Sequence, residues 1–319
     1  MKGTVITILG PTASGKTALS VRLAKRLGSC VISGDAFQVY RGMDIGTAKV
    51  TKEEAAGVPH YLVDCLDPRE PYSAARFSEL AGALIRKENA AGRVPIIAGG
   101  TGLYIQGLLE GYTFLPKGEG RRGRWNAFYE AHDADALREE LEKRGRAADE
   151  IPADPQRRIR LLEVLDLAPD ARAGKSSTLV YDGPVVGLTM DRAWLYERIN
   201  QRVDQMIAAG LEDEVRRLLE AGVPADAQSM SGIGYREMVP AVRGEISADE
   251  AADAIRLHTR HFAKRQLTWY RRMPYIRWFE RKRGESEDLW YHTIEQFILS
   301  QLKGDSNGRK NEFTGRIFE

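Results

Sequence analysis

Short apolar runs alternate with stretches of helical period over the first hundred residues. Residues 4–9 form a β-branched apolar run typical of a buried strand, and residues 18–27 repeat apolar positions at helical spacing before Gly28. Further strand-like runs lie at residues 30–32, 60–64 and 94–98, and a helical pattern covers residues 73–89. Strands that alternate with helices in this way predict an α/β fold with a parallel sheet.

The pattern changes after residue 115, where strand-like runs become scarce and charged residues become dense. Residues 133–144 have the pattern of an amphipathic helix. Asp154 and Pro155 mark the start of another, because aspartate caps helices and proline fits the first helical turn. A strand-like run at residues 180–189 is expected to form a strand that leads the chain back to the α/β core. We predict a core domain of residues 1–114 and 190–303, a small helical insertion of residues 115–189 and a mobile polar tail of residues 304–319.

The segment after the insertion is predicted to be largely helical. Asp191 is expected to cap a helix that runs to Ala209, and a second short helix follows to Ala221. Residues 231–237 form a Gly-rich turn, which is either a surface turn or the support for a functional arginine, Arg236. Residues 247–272 have the period of one long helix, so the predicted fold has a helical C-terminal region.

Composition and charge narrow the class of protein only broadly. The 319 residues have ordinary hydrophobic and charged fractions and a net charge of +2, so no overall field indicates a polyanionic partner. Cys30 and Cys65 lie in apolar runs without CxxC spacing, which favours buried free thiols in a reducing compartment over a zinc site. No stretch approaches the length of a transmembrane span, and we expect a cytoplasmic protein without membrane contact.

One motif follows the first predicted strand and opens the first predicted helix. Residues 10–17 read G-x-x-x-x-G-K-T, the pattern of a phosphate-binding loop in its confirming strand–loop–helix context. Its members are Gly10, Pro11, Thr12, Ala13, Ser14, Gly15, Lys16 and Thr17. Backbone N–H groups and the helix N-terminus attract an oxyanion, Lys16 adds a positive charge, and the Thr17 hydroxyl is a ligand type that suits Mg²⁺. The motif does not say which phosphates are bound.

Two polar residues follow other predicted strands. Asp35 comes after the strand at residues 30–32, where open α/β sheets bind ligands, so it is a candidate base or metal-shell ligand or else a turn residue. Thr101 follows the strand at residues 94–98 and is either a site hydroxyl or a helix N-cap. That strand ends in Gly-Gly-Thr rather than in a metal-binding carboxylate, which argues against a motor ATPase.

Positive charge is concentrated near the C-terminus. Residues 256–283 contain ten Lys or Arg residues and one acidic residue, Glu280, with Trp and Tyr residues interleaved. Basic charge with aromatic residues is typical of nucleic-acid binding, although a solvated basic helix is the alternative. The arginines of the predicted insertion have the same two interpretations.

These features are compatible with three classes of protein. A phosphorylated small donor and a nucleic-acid acceptor would use both the loop and the basic helix. A small-molecule or nucleotide kinase would use the loop and Asp35 but would not need the C-terminal charge. A non-catalytic RNA-binding protein would use only the basic helix.

Six sequence blocks together resemble the tRNA dimethylallyltransferase family, in order and over about residues 4–280. They are residues 10–17, 35–49 (DAFQVY…MDIGTAK), 99–104 (GGTGLY), 156–160 (QRRIR), 233–237 (IGYRE) and 260–269 (RHFAKRQLTW). Family members prenylate N6 of the adenine 3′-adjacent to the anticodon, position 37. The absence of cysteines near the C-terminus makes the chain similar to the bacterial type rather than the eukaryotic type with its zinc finger.

The resemblance implies a P-loop kinase-like core that binds dimethylallyl diphosphate instead of ATP, with Mg²⁺ as cofactor and a monomeric state. It implies that residues 10–17 and Arg236 bind the diphosphate and that Thr17 helps to ligate the metal. In the resemblance, Asp35 matches the family's base and Thr101 matches the threonine beside the reacting centre. Lys16 matches the lysine whose positive charge stabilises the leaving diphosphate.

The resemblance also implies a set of residues that contact the anticodon stem-loop of tRNA. They are Asp35, Ala36, Phe37, Gln38, Thr101, Arg122, Arg124, Gln156, Arg157, Arg158, Ile159, Arg160, Lys264 and Arg265. Two departures from the family pattern affect this set: Ala36 replaces the usual serine after the base, and residues 231–233 lack the larger or charged residue of many relatives. The second departure leaves open which arginine completes the diphosphate site.

Overall fold

The computed structural model describes residues 2–114, 121–169 and 174–305. The chain forms two compact units, a core unit of Met1–Glu110 and Thr178–Glu319 and an insertion unit of Gly111–Ser177.

A six-stranded sheet is the centre of the core unit. Its strands are β2 (Ile6–Leu9), β3 (Val31–Ser33), β4 (His60–Tyr61), β5 (Ile96–Gly99), β7 (Val185–Met190) and β8 (Arg277–Arg281), while β1 (Gly3–Thr4) and β6 (Tyr181–Asp182) form a separate pair. The order is β4-β3-β5-β2-β7-β8, and every pairing is parallel. The predicted α/β fold with a parallel sheet is confirmed. The edge strand β8 was not predicted, because its sequence, RWFER, is short and dominated by charge.

Nine helices are described in the core unit. They are α1 (Lys16–Leu27), α2 (Lys52–Ala55), α3 (Ala74–Ala90), α4 (Gly102–Leu109), α8 (Arg192–Ala208), α9 (Leu211–Glu220), α10 (Tyr235–Val242), α11 (Ala248–Tyr270) and α12 (Glu287–Asp305). The helices predicted after Asp191 are found within a residue or two of their expected ends. Asp191 and Ser247 cap α8 and α11 as their sequences indicate, each accepting a hydrogen bond from a backbone N–H three residues later.

The main hydrophobic core lies where α1 and α12 pack on the sheet. Ile6 and Ile8 of β2 and Leu19 and Leu23 of α1 are completely buried in it, and Ile294 of α12 closes the cluster. This packing fixes the positions of β2 and α1, so the short loop that joins them lies at the carboxyl edge of the sheet. Among the described residues, no helix is long and apolar enough to cross a bilayer.

The insertion unit has its own small core. Its helices are α5 (Arg121–Ala131), α6 (Ala134–Lys143) and α7 (Pro155–Leu165), and they bury Trp125, Leu137, Leu141, Ile159, Leu162 and Leu165 together. Asp154 caps α7 through the Arg157 N–H at 2.9 Å, as the sequence predicts. Helix α5 was not predicted, since its apolar stripe is only Trp125 with partly buried Phe128 and Tyr129.

The boundaries of the insertion need correction. The predicted range was residues 115–189, whereas the compact unit is Gly111–Ser177. Residues 178–189 belong to the core unit because β6 pairs with β1 and β7 pairs with β2. Of the predicted tail at residues 304–319, residues 304 and 305 end helix α12, and the remainder lies outside the described residues.

Candidate active site at the phosphate-binding loop

The loop of residues 10–17 joins β2 to α1 through backbone conformations that favour glycine. Gly15 has φ 95° and is the N-cap of α1, and a Cβ there would lie 2.6 Å from the Tyr291 hydroxyl. A Cβ at Gly10 would lie 2.7 Å from the carbonyl oxygen of Leu188. Both glycines of the motif are therefore required by close approaches as well as by the turn.

Lys16 folds back over the loop that precedes it. Its Nζ donates to the carbonyl oxygens of Gly10, at 2.9 Å, and Pro11, at 2.7 Å. Burial, with a smaller contribution from the positive charge of Arg202, lowers the pKa of Lys16 to about 7, while Asp35 acts in the opposite direction. Lys16 therefore holds its proton less tightly than an exposed lysine does.

Two arginines of α8 reach the same loop, and sequence reasoning missed both. Arg198 Nε donates to the carbonyl oxygen of Ala13 at 2.9 Å, and Arg202 Nη1 donates to the Thr12 hydroxyl at 3.3 Å. Arg202 lies close enough to Lys16 for the two positive charges to repel each other, and its burial lowers its pKa. The four-residue spacing of these arginines on a predicted helix was the available signal, but only the fold shows that their face meets the loop.

The long helix α11 also supports the loop. Gln266 is buried, its Oε1 accepts from the Thr12 N–H at 3.0 Å, and its Nε2 donates to the Gly100 carbonyl at 2.9 Å. The Tyr270 hydroxyl donates to the same carbonyl at 2.8 Å. One helix therefore connects the phosphate-binding loop to the Gly-Gly-Thr segment after β5.

Two cavities open on this region of the core unit. The first, which we call the loop cavity, has a volume of about 340 Å³ and is lined by residues 13–18 of the loop with Arg198, Arg202, Glu54 and Glu287 among others. The second, which we call the large cavity, has a volume of about 530 Å³. Arg202 and Ala48 line both cavities, so the two are neighbours with a shared wall.

The large cavity has mostly apolar walls with a few polar groups. The apolar side chains that line it include Phe37, Ile199, Val203, Met206, Ile233, Ile255, Phe262 and Trp269. The polar ones include Asp35, Thr101, Arg202 and Arg236. A large, mostly apolar space with few convergent polar groups is typical of a site for a flat organic ligand.

Asp35 combines the two interpretations that the sequence left open. Its Oδ1 accepts from the N–H groups of Phe37, at 2.8 Å, and Gln38, at 3.3 Å, which makes it a turn residue. It also lines the large cavity at the carboxyl end of β3. The turn therefore holds the carboxylate in place at the cavity wall.

Thr101 does not cap helix α4, although it immediately precedes that helix. No hydrogen bond from its side chain caps the helix, and its Oγ1 instead accepts from the Ala36 N–H at 3.0 Å. The Thr101 N–H donates to the Gly34 carbonyl at 3.2 Å. The ends of β3 and β5 are thereby joined, with Thr101 beside the Asp35 turn.

Arg236 and Gln38 lie close to the large cavity or its wall. Arg236 lines the large cavity, its Nε donates to Glu237, and it is not among the described residues that line the loop cavity. Gln38 Oε1 accepts from the Ser33 hydroxyl at 3.0 Å. The roles expected for both residues remain predictions.

The basic C-terminal segment is partly neutralised in the folded chain. Arg256 pairs with Asp204 and Asp253, Arg281 with Glu287 and Arg283 with Glu197. Lys264 and Arg265 are exposed on α11, and Arg265 also lines the large cavity. The local charge excess in the sequence therefore overstates the positive surface, because acidic partners come from other elements.

The predicted contact residues of the insertion unit differ in their surroundings. Arg122, Arg124, Gln156 and Arg157 are exposed. Arg158 donates to the carbonyls of Pro152 and Ala134, and Arg160 pairs with Glu163, so both have partners within the unit. Ile159 is completely buried, and its predicted contact with tRNA is corrected here: its side chain packs in the core.

Comparisons with known proteins show which family the chain resembles. The family model described as IPP transferase matches residues 38–273, and a second, isopentenyl transferase, matches residues 3–67. The tRNA dimethylallyltransferase of Geobacillus kaustophilus is 42% identical over 315 residues, covering 95% of this chain and 98% of its own. That of an Exiguobacterium species is 46% identical over 297 residues, with 92% and 95% covered.

A solved structure extends the similarity to three dimensions. The tRNA isopentenylpyrophosphate transferase of Bacillus halodurans has a TM-score of 0.73 and 42% identity, covering 96% of this chain and 99% of its own. The two family models together cover residues 3–273, which include the loop, the Asp35 turn and the Gly-Gly-Thr segment, and the relatives cover most of the chain. The chain therefore belongs to the tRNA dimethylallyltransferase family.

Proposed function

We propose that this enzyme transfers the dimethylallyl group of dimethylallyl diphosphate to N6 of the adenine 3′-adjacent to the anticodon of tRNA, position 37. A bond forms between N6 and C1 of the dimethylallyl group, and the bond between C1 and the diphosphate oxygen breaks. Diphosphate leaves, and the amine loses one proton. The observation that carries the proposal is the pair of adjoining cavities, one charged and one mostly apolar, with Arg202 between them.

The loop cavity suits the donor's diphosphate. Loop N–H groups, Lys16 and the two α8 arginines supply positive charge and hydrogen-bond donors in a confined space. Negative charge grows on the leaving oxygen as the C–O bond breaks, so these groups stabilise the transition state more than the ground state. Arg202 is well situated for this role because it lines both cavities.

The large cavity suits the acceptor base and the dimethylallyl group. The exocyclic amine of adenine is a weak nucleophile, because its lone pair is delocalised into the ring. A base that removes its proton as the new bond forms accelerates the reaction, and Asp35 is the carboxylate on this cavity wall. The target adenine must leave its stack to enter such a site. Thr101 supports the Asp35 turn through the Ala36 N–H.

Mg²⁺ fits the oxygen ligands of the loop cavity. The Thr17 side chain and the carboxylates of Glu54 and Glu287 are among its lining residues, and these oxygen donors suit a hard cation that keeps part of its water shell. No cluster of three or more His, Cys, Asp or Glu residues suited to a metal is found in the described ranges, so diphosphate oxygens would complete the coordination. When bound, Mg²⁺ would neutralise part of the diphosphate charge.

The exposed basic residues of the insertion unit and of α11 are proposed to contact tRNA phosphates. Arg122, Arg124 and Arg157 of the insertion unit and Lys264 and Arg265 of α11 are accessible for this purpose. Phosphate contacts of this kind contribute most of the affinity for a nucleic acid and weaken with salt.

The kinase alternative is not favoured. P-loop enzymes that use ATP commonly hold their metal through a carboxylate at the end of the strand beside the loop, which here is β5. At the end of β5, a Cβ on Gly99 would lie 2.3 Å from the backbone of Gly34, so a side chain is excluded at that strand end.

Mass spectrometry of an RNA substrate tests the proposal directly. The protein is incubated with Mg²⁺, an unmodified anticodon stem-loop RNA and dimethylallyl diphosphate, with ATP replacing the donor in a parallel tube. We expect one five-carbon prenyl group on the adenine after the anticodon, without ATP. Consumption of ATP with no gain of mass on the RNA would overturn the proposal and support the kinase.

A further inference from the structure

One wall of the large cavity is an irregular loop that needs support from outside. Residues 35–49 connect β3 to the segment before α2, and Gly46, Thr47 and Ala48 line the large cavity together with Asp35. No α-helix or extended strand is assigned between Asp35 and Lys49. Some backbone N–H groups of this loop bond within it, as those of Phe37, Ala48 and Lys49 do, but those of residues 44–46 have their partner on another element.

The support comes from Glu214 on α9. Its side chain is 3% exposed, and its two oxygens accept from the N–H groups of three successive residues, Asp44, Ile45 and Gly46, at 2.8–3.1 Å. The Tyr235 hydroxyl donates to Glu214 Oε1 at 2.6 Å. Within the described residues, the hydrogen-bond partners of this buried carboxylate are thus uncharged donors, three of them from the cavity loop.

The contact is tight as well as polar. A Cβ on Gly46 would lie 2.5 Å from the Tyr235 ring, so the loop backbone passes directly over that ring. Tyr235 is itself 1% exposed and opens α10, directly after the cavity-lining residues 231–233. Glu214 and Tyr235 therefore join two walls of the large cavity, one from residues 44–48 and one from the start of α10.

The other end of the loop is closed by Lys49. Its buried Nζ donates to the Tyr40 carbonyl at 2.7 Å and to Asp44 Oδ1 at 2.6 Å, and also contacts Asp64. Lys49 holds residues of the loop to one another and to Asp64, whereas Glu214 holds residues 44–46 to helix α9 and, through Tyr235, to helix α10. The Glu214 contacts therefore fix this part of the loop relative to the start of α10.

We propose that Glu214 is a positioning residue for the transfer reaction, because it fixes the loop of residues 44–48 at the distance from α10 that the large cavity requires. Glu214 itself lines neither cavity. The carboxylate is needed because a glutamine has one acceptor oxygen, and its NH₂ group would face the N–H groups that the second oxygen now accepts. The inference rests on the proposed function only for its kinetic readout.

The test uses Glu214→Gln beside a matched control, Glu88→Gln. Glu88 is also a buried carboxylate, pairs with Arg93 and lines neither cavity among the described residues. We expect Glu214→Gln to lower kcat by roughly 10- to 100-fold with the KM for dimethylallyl diphosphate within about twofold, since displacement of a site by about 1 Å can cost this much. Tyr235→Phe removes one donor and should give a smaller loss.

Hydrogen exchange supplies a readout that does not depend on catalysis. The N–H groups of Asp44, Ile45 and Gly46 donate to Glu214, so their exchange should accelerate in Glu214→Gln and not in Glu88→Gln. Unchanged exchange at these three amides, or a kcat equal to that of Glu88→Gln, would overturn the role of Glu214. If the wild-type protein transfers no prenyl group, the proposed function fails while the exchange result still decides whether Glu214 holds the loop.

Discussion

The two cavities of the core unit are built in opposite ways. The loop cavity takes six consecutive residues, 13–18, as its base and adds charged side chains, among them Arg198 and Arg202. The large cavity takes small groups of residues from many separate segments, and its walls are mostly apolar. A contiguous loop can bind an anion through its backbone N–H groups, whereas a flat organic ligand has to be contacted from several sides. In the proposed reaction, the loop cavity would bind the leaving group and the large cavity would bind the acceptor.

Removal of the Asp35 carboxylate, which lines the large cavity but not the loop cavity, should lower the transfer rate more than any other change considered. We expect Asp35→Ala to abolish prenyl transfer, with a loss of about 10²–10⁴-fold in single-turnover rate, because proton removal from the amine is lost. Binding of tRNA, measured on filters, should remain largely intact. Asp35→Asn retains an oxygen for the Phe37 and Gln38 N–H groups and separates loss of the base from loss of the turn. Lost tRNA binding with preserved single-turnover chemistry would contradict the role.

Substitution of Arg202, which lines both cavities, should change both kcat and the KM for the donor. Arg202→Gln is expected to lower kcat by about 10²-fold and to raise the KM for dimethylallyl diphosphate, since a donor to the leaving group is lost. Arg236→Gln is the matched comparison, because Arg236 lines the large cavity only. If the donor KM rises more in Arg236→Gln than in Arg202→Gln, Arg236 is the arginine that binds the diphosphate, as the sequence resemblance implies.

Raising the pH should weaken binding of the donor in the loop cavity, because that cavity contains Lys16. The pKa of Lys16 is lowered to about 7 in the free protein, so the ammonium is lost above pH 7, while a bound diphosphate favours the charged form and raises the pKa. Donor binding should therefore take up a proton between pH 7 and 9, and the donor Kd should rise by up to about tenfold per pH unit.

Calorimetry in two buffers of different ionisation enthalpy measures that proton uptake. Lys16→Met removes the titrating group and should show less uptake, because titration of the diphosphate itself is common to both proteins. Equal proton uptake by the two proteins would contradict the lowered pKa of Lys16.

The smallest expected effects lie in the insertion unit, none of whose described residues lines either cavity. Arg157→Ala should weaken tRNA binding a few-fold and reduce the slope of log affinity against log salt by about one, with kcat unchanged at saturating tRNA. Arg138→Ala is the control, because Arg138 is also half exposed but pairs with Glu142 on α6. An equal loss in both variants, or a flat salt response, would count against this surface as the tRNA contact.

Particular residues show how far the sequence alone could lead. The β2–loop–α1 unit, the Asp35 turn and the caps at Asp154 and Asp191 were readable, because each depends on neighbours within a few residues. Part of the positive charge at residues 256–283 is neutralised by Asp204, Glu197 and Glu287, which come from other elements and so cannot be recognised from the local sequence. Ile159 was taken as a contact residue because the resemblance covers a whole segment, although its helical face is buried.

The sequence by itself determined the parallel α/β class, the phosphate-binding loop and the family, because these depend on local periodicity and on motifs with fixed spacing. Only the tertiary structure decided that Arg198 and Arg202 face the loop, that Gln266 joins the loop to Gly100, and that Glu214 holds residues 44–46. These contacts join residues 160 or more positions apart. Their geometry depends on how helices pack against the sheet, which no local pattern records.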